Sequence, residues 1–348
     1  MKNWEKIRSN PELKKIQIKR NKINNLLREF FKKRGFLEVQ TPILVKCAGQ
    51  EPYLAPFETN FADEKNKKYK GYLITSPEYS LKKLLVAGFD KIFELARVFR
   101  ASESFGGTHN PEFTMLEWYR ANSDYNQIMK DIEQLVYFLN KKVNYSKYLK
   151  YQGQKIDLTL PWLRFSLKET FLKYAGINLD RAKTLKSFQK ELEDRKDLKH
   201  FVDKNDNWDD IFYKVFLNKI EPNFPKNRPV IIYDYPLPQA SLAKKKNKFS
   251  FYAERFEVYI GGLELANAFS ELTDYKEQYK RFKEEQNLRK LLKKSVIPID
   301  KDFILALRLR MPPSGGIALG IDRLQMLLLD IKDINDLLLF PAKQLFLD

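Results

Sequence analysis

Two strand-like runs, Lys91 to Arg100 and Phe113 to Tyr119, flank a loop holding Gly106, Gly107, His109, Asn110 and Pro111. Apolar runs separated by glycine and proline pair as an antiparallel hairpin, here with an elaborate tip. Further strands are expected at Pro229 to Tyr233, Glu254 to Ile260, Glu264 to Leu272 and Gly315 to Ile321. Helical spacing runs from Pro11 to Lys33, where Gly35 stops it, and from a Ser76 cap and Pro77 through Leu85. It recurs over Tyr125 to Leu139, Lys276 to Lys294 and Arg323 to Leu329. An antiparallel sheet flanked by helices is an α+β fold. The run Phe36 to Thr41 meets Pro42, which confines that strand to an edge or a strand end. The stretch from about 151 to 223 reads as a helical insertion within a single domain spanning 1–348.

A chain of 348 residues with 43% hydrophobic content can bury a large core. Charges recur every few residues in the N-terminal stretch, so it has neither a signal-peptide core nor a membrane span, and the cytoplasm is the expected location. One cysteine, Cys47, and two histidines, His109 and His200, exclude an internal disulfide and a His-rich metal centre. A metal must therefore sit on carboxylates. The balance of 63 Lys+Arg against 45 Asp+Glu, formally +18, suits a polyanionic partner, but the runs Lys65 to Lys70 and Lys244 to Lys248 read equally well as solvated loops.

Arg100, Glu103, His109 and Phe113 sit together on the hairpin and complement a nucleotide. Arginine pairs a phosphate bidentately, phenylalanine stacks on a base, and glutamate accepts from an exocyclic amine. Taken singly, Phe113 is equally a core residue and Arg100 a surface ion pair. Glu264 and Glu271 are hard ligands suited to Mg²⁺. Their odd spacing puts them on opposite faces of a regular strand, so a bulge is needed to bring both to one ion. Glu78, Glu117 and Tyr119 place acidic and phenolic groups in apolar segments. They need either a substrate with two ammonium groups or an internal lysine or arginine.

Phe99-Arg100 through Glu103, with Thr108-His109-Asn110-Pro111-Glu112-Phe113-Thr114-Met115-Leu116-Glu117-Trp118-Tyr119, resembles motif 2 of the lysyl-tRNA synthetase group of class II synthetases. Gly320-Ile321-Asp322-Arg323 with Leu339-Phe340-Pro341 is similar to motif 3, and the helix ending at Gly35 with the strand ending at Pro42 to motif 1. The resemblance covers nearly the whole chain. Within that group, Ser76-Pro77-Glu78-Tyr79, Leu116-Glu117-Trp118-Tyr119 and Pro238-Gln239-Ala240-Ser241-Leu242-Ala243 resemble the short paralogues that ligate (R)-β-lysine to elongation factor P. A lysyl-tRNA synthetase carries an OB-fold anticodon-binding domain before motif 1. Here motif 1 begins within the first few dozen residues, so no such N-terminal domain is expected, and tRNA is not an expected partner.

The resemblance implies a class II synthetase catalytic domain using ATP and Mg²⁺, working as a homodimer, and passing lysine or β-lysine to elongation factor P. It gives the catalytic roles to Arg100 and Arg323. Around ATP it places Arg100, Glu103, His109, Asn110, Phe113, Glu264, Leu265, Gly320 and Arg323, with Glu264 and Glu271 on the metal. Around the amino acid it places Ser76, Pro77, Glu78, Glu117, Tyr119, Ala266, Asn267 and Glu271. Glu78 would take one amine, Glu117, Tyr119 and Glu271 the distal ammonium, and Asn267 the carboxylate. Ala266 stands where the synthetases have glycine, and its methyl is expected to favour the isomer with a displaced amine. The chain departs from the family pattern at Ala101-Ser102, in a longer loop, and at Ala268, where glycine is usual. A truncated lysyl-tRNA synthetase and a catalytically silent regulatory paralogue are the alternatives.

Overall fold

The main sheet is built around the expected hairpin. In this computed structural model, which describes residues 2–193 and 195–347, eight strands form it among the described residues. They are β1 (Leu37–Glu38), β2 (Lys91–Phe99), β3 (Glu112–Ala121), β4 (Leu163–Ser166), β5 (Val230–Pro236), β6 (Tyr252–Ile260), β7 (Leu263–Ser270) and β8 (Ser314–Gly320). Their spatial order is β1-β2-β3-β8-β7-β6-β5-β4. Neighbours run antiparallel except at the two edges, where β1 pairs with β2 and β4 with β5 in parallel. The flanking helices used below are α1 (Pro11–Lys32), α2 (Glu78–Val86), α3 (Tyr125–Val143), α4 (Tyr275–Leu291) and α5 (Ile321–Leu329).

Helices α1, α3 and α5 cover one face of the sheet. Asn10 caps α1 ahead of Pro11, and the Asp124 carboxylate caps α3 by accepting from the N–H groups of Asn126 and Gln127, so both helices start where their free donors find oxygen. The apolar stripe of α1 does not wait for a second copy of the chain. Instead Ile23, Leu27, Phe30 and Phe31 are at most 1% exposed within the chain's own core. Phe31 stacks on Phe93 at 4.7 Å and tilts against Trp118 at 5.2 Å, and burying such a ring contributes about 2–3 kcal/mol.

The expected strand from Phe36 to Pro42 shortens to Leu37–Glu38. Beyond it, the Glu94 carboxylate accepts from the N–H and hydroxyl of Thr41 at 2.9 Å and takes the place of ladder bonds. The stretch read as an insertion supplies β4 to the main sheet and builds a second core around Phe171, Phe188, Trp208 and Phe212, packed against β5. No helix among the described residues is long and apolar enough to cross a membrane.

Candidate active site

Residues directly opposite each other on antiparallel strands share a face. The register therefore sets Glu117, Ala318, Asn267 and Glu257 in one row across β3, β8, β7 and β6. Tyr119, Gly316, Phe269 and Arg255 form a second row beside it. The alternating residues Trp118, Ile317, Ala268 and Phe256 face the core under α1, α3 and α5. A cleft of about 540 Å³ lies over the polar face, and Glu78, Arg100, Glu103, His109, Asn110, Phe113, Glu264, Asn267, Gly320 and Arg323 all line it.

One end of the cleft is cationic. Arg323 begins α5 just after Gly320 and donates from Nη1 to the Glu264 carbonyl at 2.9 Å and from Nε to the Thr108 carbonyl at 3.3 Å. Its Nη2 lies 2.8 Å from His109 Nε2. Burial and then the Arg323 charge lower the His109 pKa, so the imidazole is neutral and accepts from the guanidinium. Glu103, 3.9 Å away, therefore faces an uncharged ring. Asp322 accepts from Arg20 of α1 at 2.6 Å and from the Thr114 N–H at 2.7 Å, which locks the start of α5 and aims Arg323. Arg100 lies over the Phe113 ring, 5.1 Å from its centroid, with Nε buried and unpartnered. Asn110 donates to the Glu112 carbonyl at 2.6 Å and accepts from the Ala342 N–H at 2.9 Å. Its amide thus pins the hairpin tip and shapes the cleft wall.

The bulge required in sequence is present. Tyr259 pairs with Glu264 but Val258 with Ala266, so Leu265 is the extra residue, and Glu264 turns to the cleft. The bulge does not unite Glu264 with Glu271, because about 20 Å of strand separates them. Glu271 instead pairs with Lys82 at 2.5 Å. The acidic neighbour of Glu264 is Glu257, seven residues earlier on β6. Glu257 takes Arg255 at 2.5 Å and the hydroxyls of Tyr235 and Tyr259 at 2.6 Å. Glu264 is exposed to the cleft, where desolvation and then the Glu257 charge push its pKa up, and among the described residues no hydrogen bond reaches its carboxylate. A divalent cation would relieve that charge, so the pair fits Mg²⁺ with phosphate oxygens completing the shell. Among the described residues no three His, Cys, Asp or Glu side chains form a metal cage by themselves.

Leu265 and Ala266 border the cleft, but at 3% and 2% exposure both are packed into the main core. The alternation of β7 puts Ala266 opposite Val258 and Leu319, on the far side of the sheet from Asn267. Its methyl therefore does not shape the substrate pocket. Ala318, paired with both Asn267 and Glu117, holds that position.

The other end of the site is closed and acidic. Ser76 Oγ accepts from the Glu78 N–H at 3.0 Å and donates to Glu117 at 2.5 Å, and the Tyr119 hydroxyl donates to the other Glu117 oxygen at 2.9 Å. Pro77, expected as the first residue of α2, is instead its N-cap. Lys82 forms ion pairs with Glu78 and Glu271. Burial disfavours the Lys82 charge, but Glu271 and Glu78 outweigh it and hold the pKa up at about 12. Burial and the Glu78 charge push Glu117 up to about 8, and burial likewise pushes Glu271 up. Glu271 Oε1 has no hydrogen-bond partner. A Cβ on Gly316 would lie 2.3 Å from that oxygen and 2.3 Å from the Tyr119 ring, so only glycine fits beneath them. The internal lysine anticipated for these carboxylates exists, yet it neutralises one of three. Fully ionised, the cluster keeps two negative charges.

A family model of class II tRNA synthetases (D, K and N) matches residues 2–344. The chain belongs to the class II tRNA synthetases. It is 39% identical over 336 residues to a lysine–tRNA ligase of Thermoanaerobacter pseudethanolicus, a match covering 96% of this chain and 65% of that protein. It is 38% identical over 326 residues to an elongation factor P–(R)-beta-lysine ligase of Proteus mirabilis, covering 93% of this chain and 94% of that protein. In this class II synthetase, sequence reasoning missed Glu257, Arg255, Lys82, Ala318 and the Arg20–Asp322 pair. The Gly261-Gly262 turn signalled a hairpin that brings Glu257 towards Glu264, and the i,i+4 spacing of Glu78 and Lys82 signalled their pairing. Nothing local to Ala318 marks it, because its place depends on which strands adjoin β8.

Proposed function

We propose that this chain activates lysine or (R)-β-lysine with ATP and transfers it to a lysine side chain of elongation factor P. The observation that carries the reading is the closed cluster of Glu78, Glu117, Glu271 and Lys82, short of two positive charges, at the end of a cleft whose opposite end presents Arg100 and Arg323. A diamino acid supplies two ammonium groups, and its carboxylate points back towards the arginines. That carboxylate is ionised at neutral pH and needs no general base to attack the α-phosphate. Arg100 and Arg323 position the phosphates and stabilise the charge that develops on them. Mg²⁺, which Glu264 with Glu257 beside it would hold, would supply further charge neutralisation.

The relation to the Proteus mirabilis protein, matched over 93% of this chain and 94% of that one, supports this choice of acceptor. The same reading makes the chain a homodimer, with Ile18, Leu37, Ile43 and Leu44, each at least 42% exposed, available to a second copy. Incubation with ATP, either lysine isomer, and both elongation factor P and bulk tRNA tests the acceptor. The mass of elongation factor P is expected to rise by one aminoacyl group while tRNA stays uncharged, and the reverse result would make the chain a tRNA ligase.

Isomer choice falls to Ala318, whose methyl lies on the cleft floor between Glu117 and Asn267. A methyl in a fitted pocket discriminates by about 10- to 200-fold. Ala318→Gly is expected to shift the ratio of kcat/KM for β-lysine over α-lysine by that order. Ala266→Gly, on the core face, should leave the ratio in place.

A further inference from the structure

Glu51 is among the carboxylates of the cleft wall to which the reaction above gives no task. Glu51 lies on a loop that α4 and the residues after it clamp against the cleft. Arg289 donates to the Glu51 carbonyl at 2.9 Å and to the Leu54 carbonyl at 3.1 Å, and Lys294 donates to the Pro52 carbonyl at 2.8 Å. Gly49 makes room for the side chain, since a Cβ there would lie 2.2 Å from Glu51 Oε2. That oxygen is out of contact with solvent and has no hydrogen-bond partner. Glu51 and Glu78 are the two described residues that line both the cleft and a second cavity, of about 620 Å³, behind Ser76. The charges of Glu78 and Arg100 both act on Glu51. It therefore shares the cleft wall with the group that takes a substrate amine and the group that takes a phosphate, beside the place where the activated carboxyl is made.

The ammonium groups of the diamino acid use up the two negative charges of the closed cluster. A third ammonium arrives with the acceptor lysine, and it has no lone pair with which to attack. We propose that Glu51 is the proton acceptor for this incoming amine in the transfer step, an assignment that rests on the function proposed above. The ammonium gives one N–H proton to the Glu51 carboxylate, and the freed lone pair attacks the acyl carbon. The C–N bond forms, the C–O bond to phosphate breaks, and AMP leaves with the electron pair. The second N–H proton passes to AMP or water, and the proton on Glu51 leaves through the second cavity. Burial and the Glu78 charge raise the Glu51 pKa, which brings its proton affinity closer to that of an amine.

The test intercepts the adenylate made from ATP and lysine or (R)-β-lysine at pH 7 with two probes. Methylamine is protonated there, as an acceptor lysine is; hydroxylamine is neutral and needs no base. In Glu51→Gln the ratio of methylamide to hydroxamate formed is expected to fall about 10²-fold, the usual contribution of a positioned base. ATP/pyrophosphate exchange by the variant reports that fold and first step persist. An equal fall with both amines overturns the proposal. So does loss of exchange in a folded variant, which would make Glu51 a holder of the substrate amine. If Glu51→Gln does not fold, Glu51→Asp withdraws the carboxylate by one methylene and should still lower the ratio, and an unchanged ratio overturns the proposal too. Absence of exchange in the wild type with either isomer removes the reading of the site, and this assignment with it.

Discussion

Arg323→Ala is expected to lower ATP/pyrophosphate exchange by about 10² to 10³, the cost of removing one preorganised group from a developing phosphate charge. The loss should appear in kcat as well as in kcat/KM, because the guanidinium acts on charge that grows in the transition state. The fold should survive. Arg323 touches the Thr108 and Glu264 carbonyls and His109, all on the cleft wall, and water can replace it there. The start of α5 is held independently by Asp322, through Arg20 and Thr114. Circular dichroism and a melting curve establish the fold, and radiolabelled pyrophosphate exchange measures the first step. Unchanged exchange in a folded variant would take Arg323 out of the site.

The hairpin of β2 and β3 and the glycine-bounded β8 were legible because periodicity and turn residues are local signals. The bulge in β7 was legible as a requirement, since two carboxylates at odd spacing cannot share a face without one. Which carboxylate stands beside Glu264 was not. Spacing along β7 offered Glu271, and only the register of β6 against β7 brings Glu257 beside Glu264. Ala266 was misplaced for a related reason. Its neighbour Asn267 faces the cleft, and strand alternation sends the Ala266 methyl into the core, whereas Ala318 reaches the cleft from a strand more than 40 residues away in the chain. The helical spacing of α1 was legible, but not that its apolar stripe packs on this chain's own α3 and β3. Glu78, Glu117 and Glu271 were assigned to a substrate with two amines. The i,i+4 spacing of Glu78 and Lys82 carried a signal for one ion pair, but that Lys82 is buried on α2, reaches Glu271 as well and leaves two charges over depends on the fold.

That remainder of two negative charges sets the size of the largest expected effect. Norleucine has the backbone and length of lysine without the distal ammonium, and would leave a buried carboxylate at Glu117 or Glu271 unpaired. Sites built around a buried polar partner reject the analogue lacking it by about 10⁴-fold. The pH dependence has a definite sign. Glu117, pushed up to about 8, holds its proton below that pH in the free enzyme and must lose it to pair with the ammonium. Binding of lysine should therefore strengthen as pH rises towards 8 and level off above it, while norleucine gains nothing. The direct measurement is ATP/pyrophosphate exchange at pH 8.5 with α-lysine, (R)-β-lysine and norleucine in parallel. The charge count predicts robust exchange with at least one lysine isomer and kcat/KM for norleucine about 10⁴-fold lower. Comparable exchange with norleucine, or none with either isomer, would contradict it.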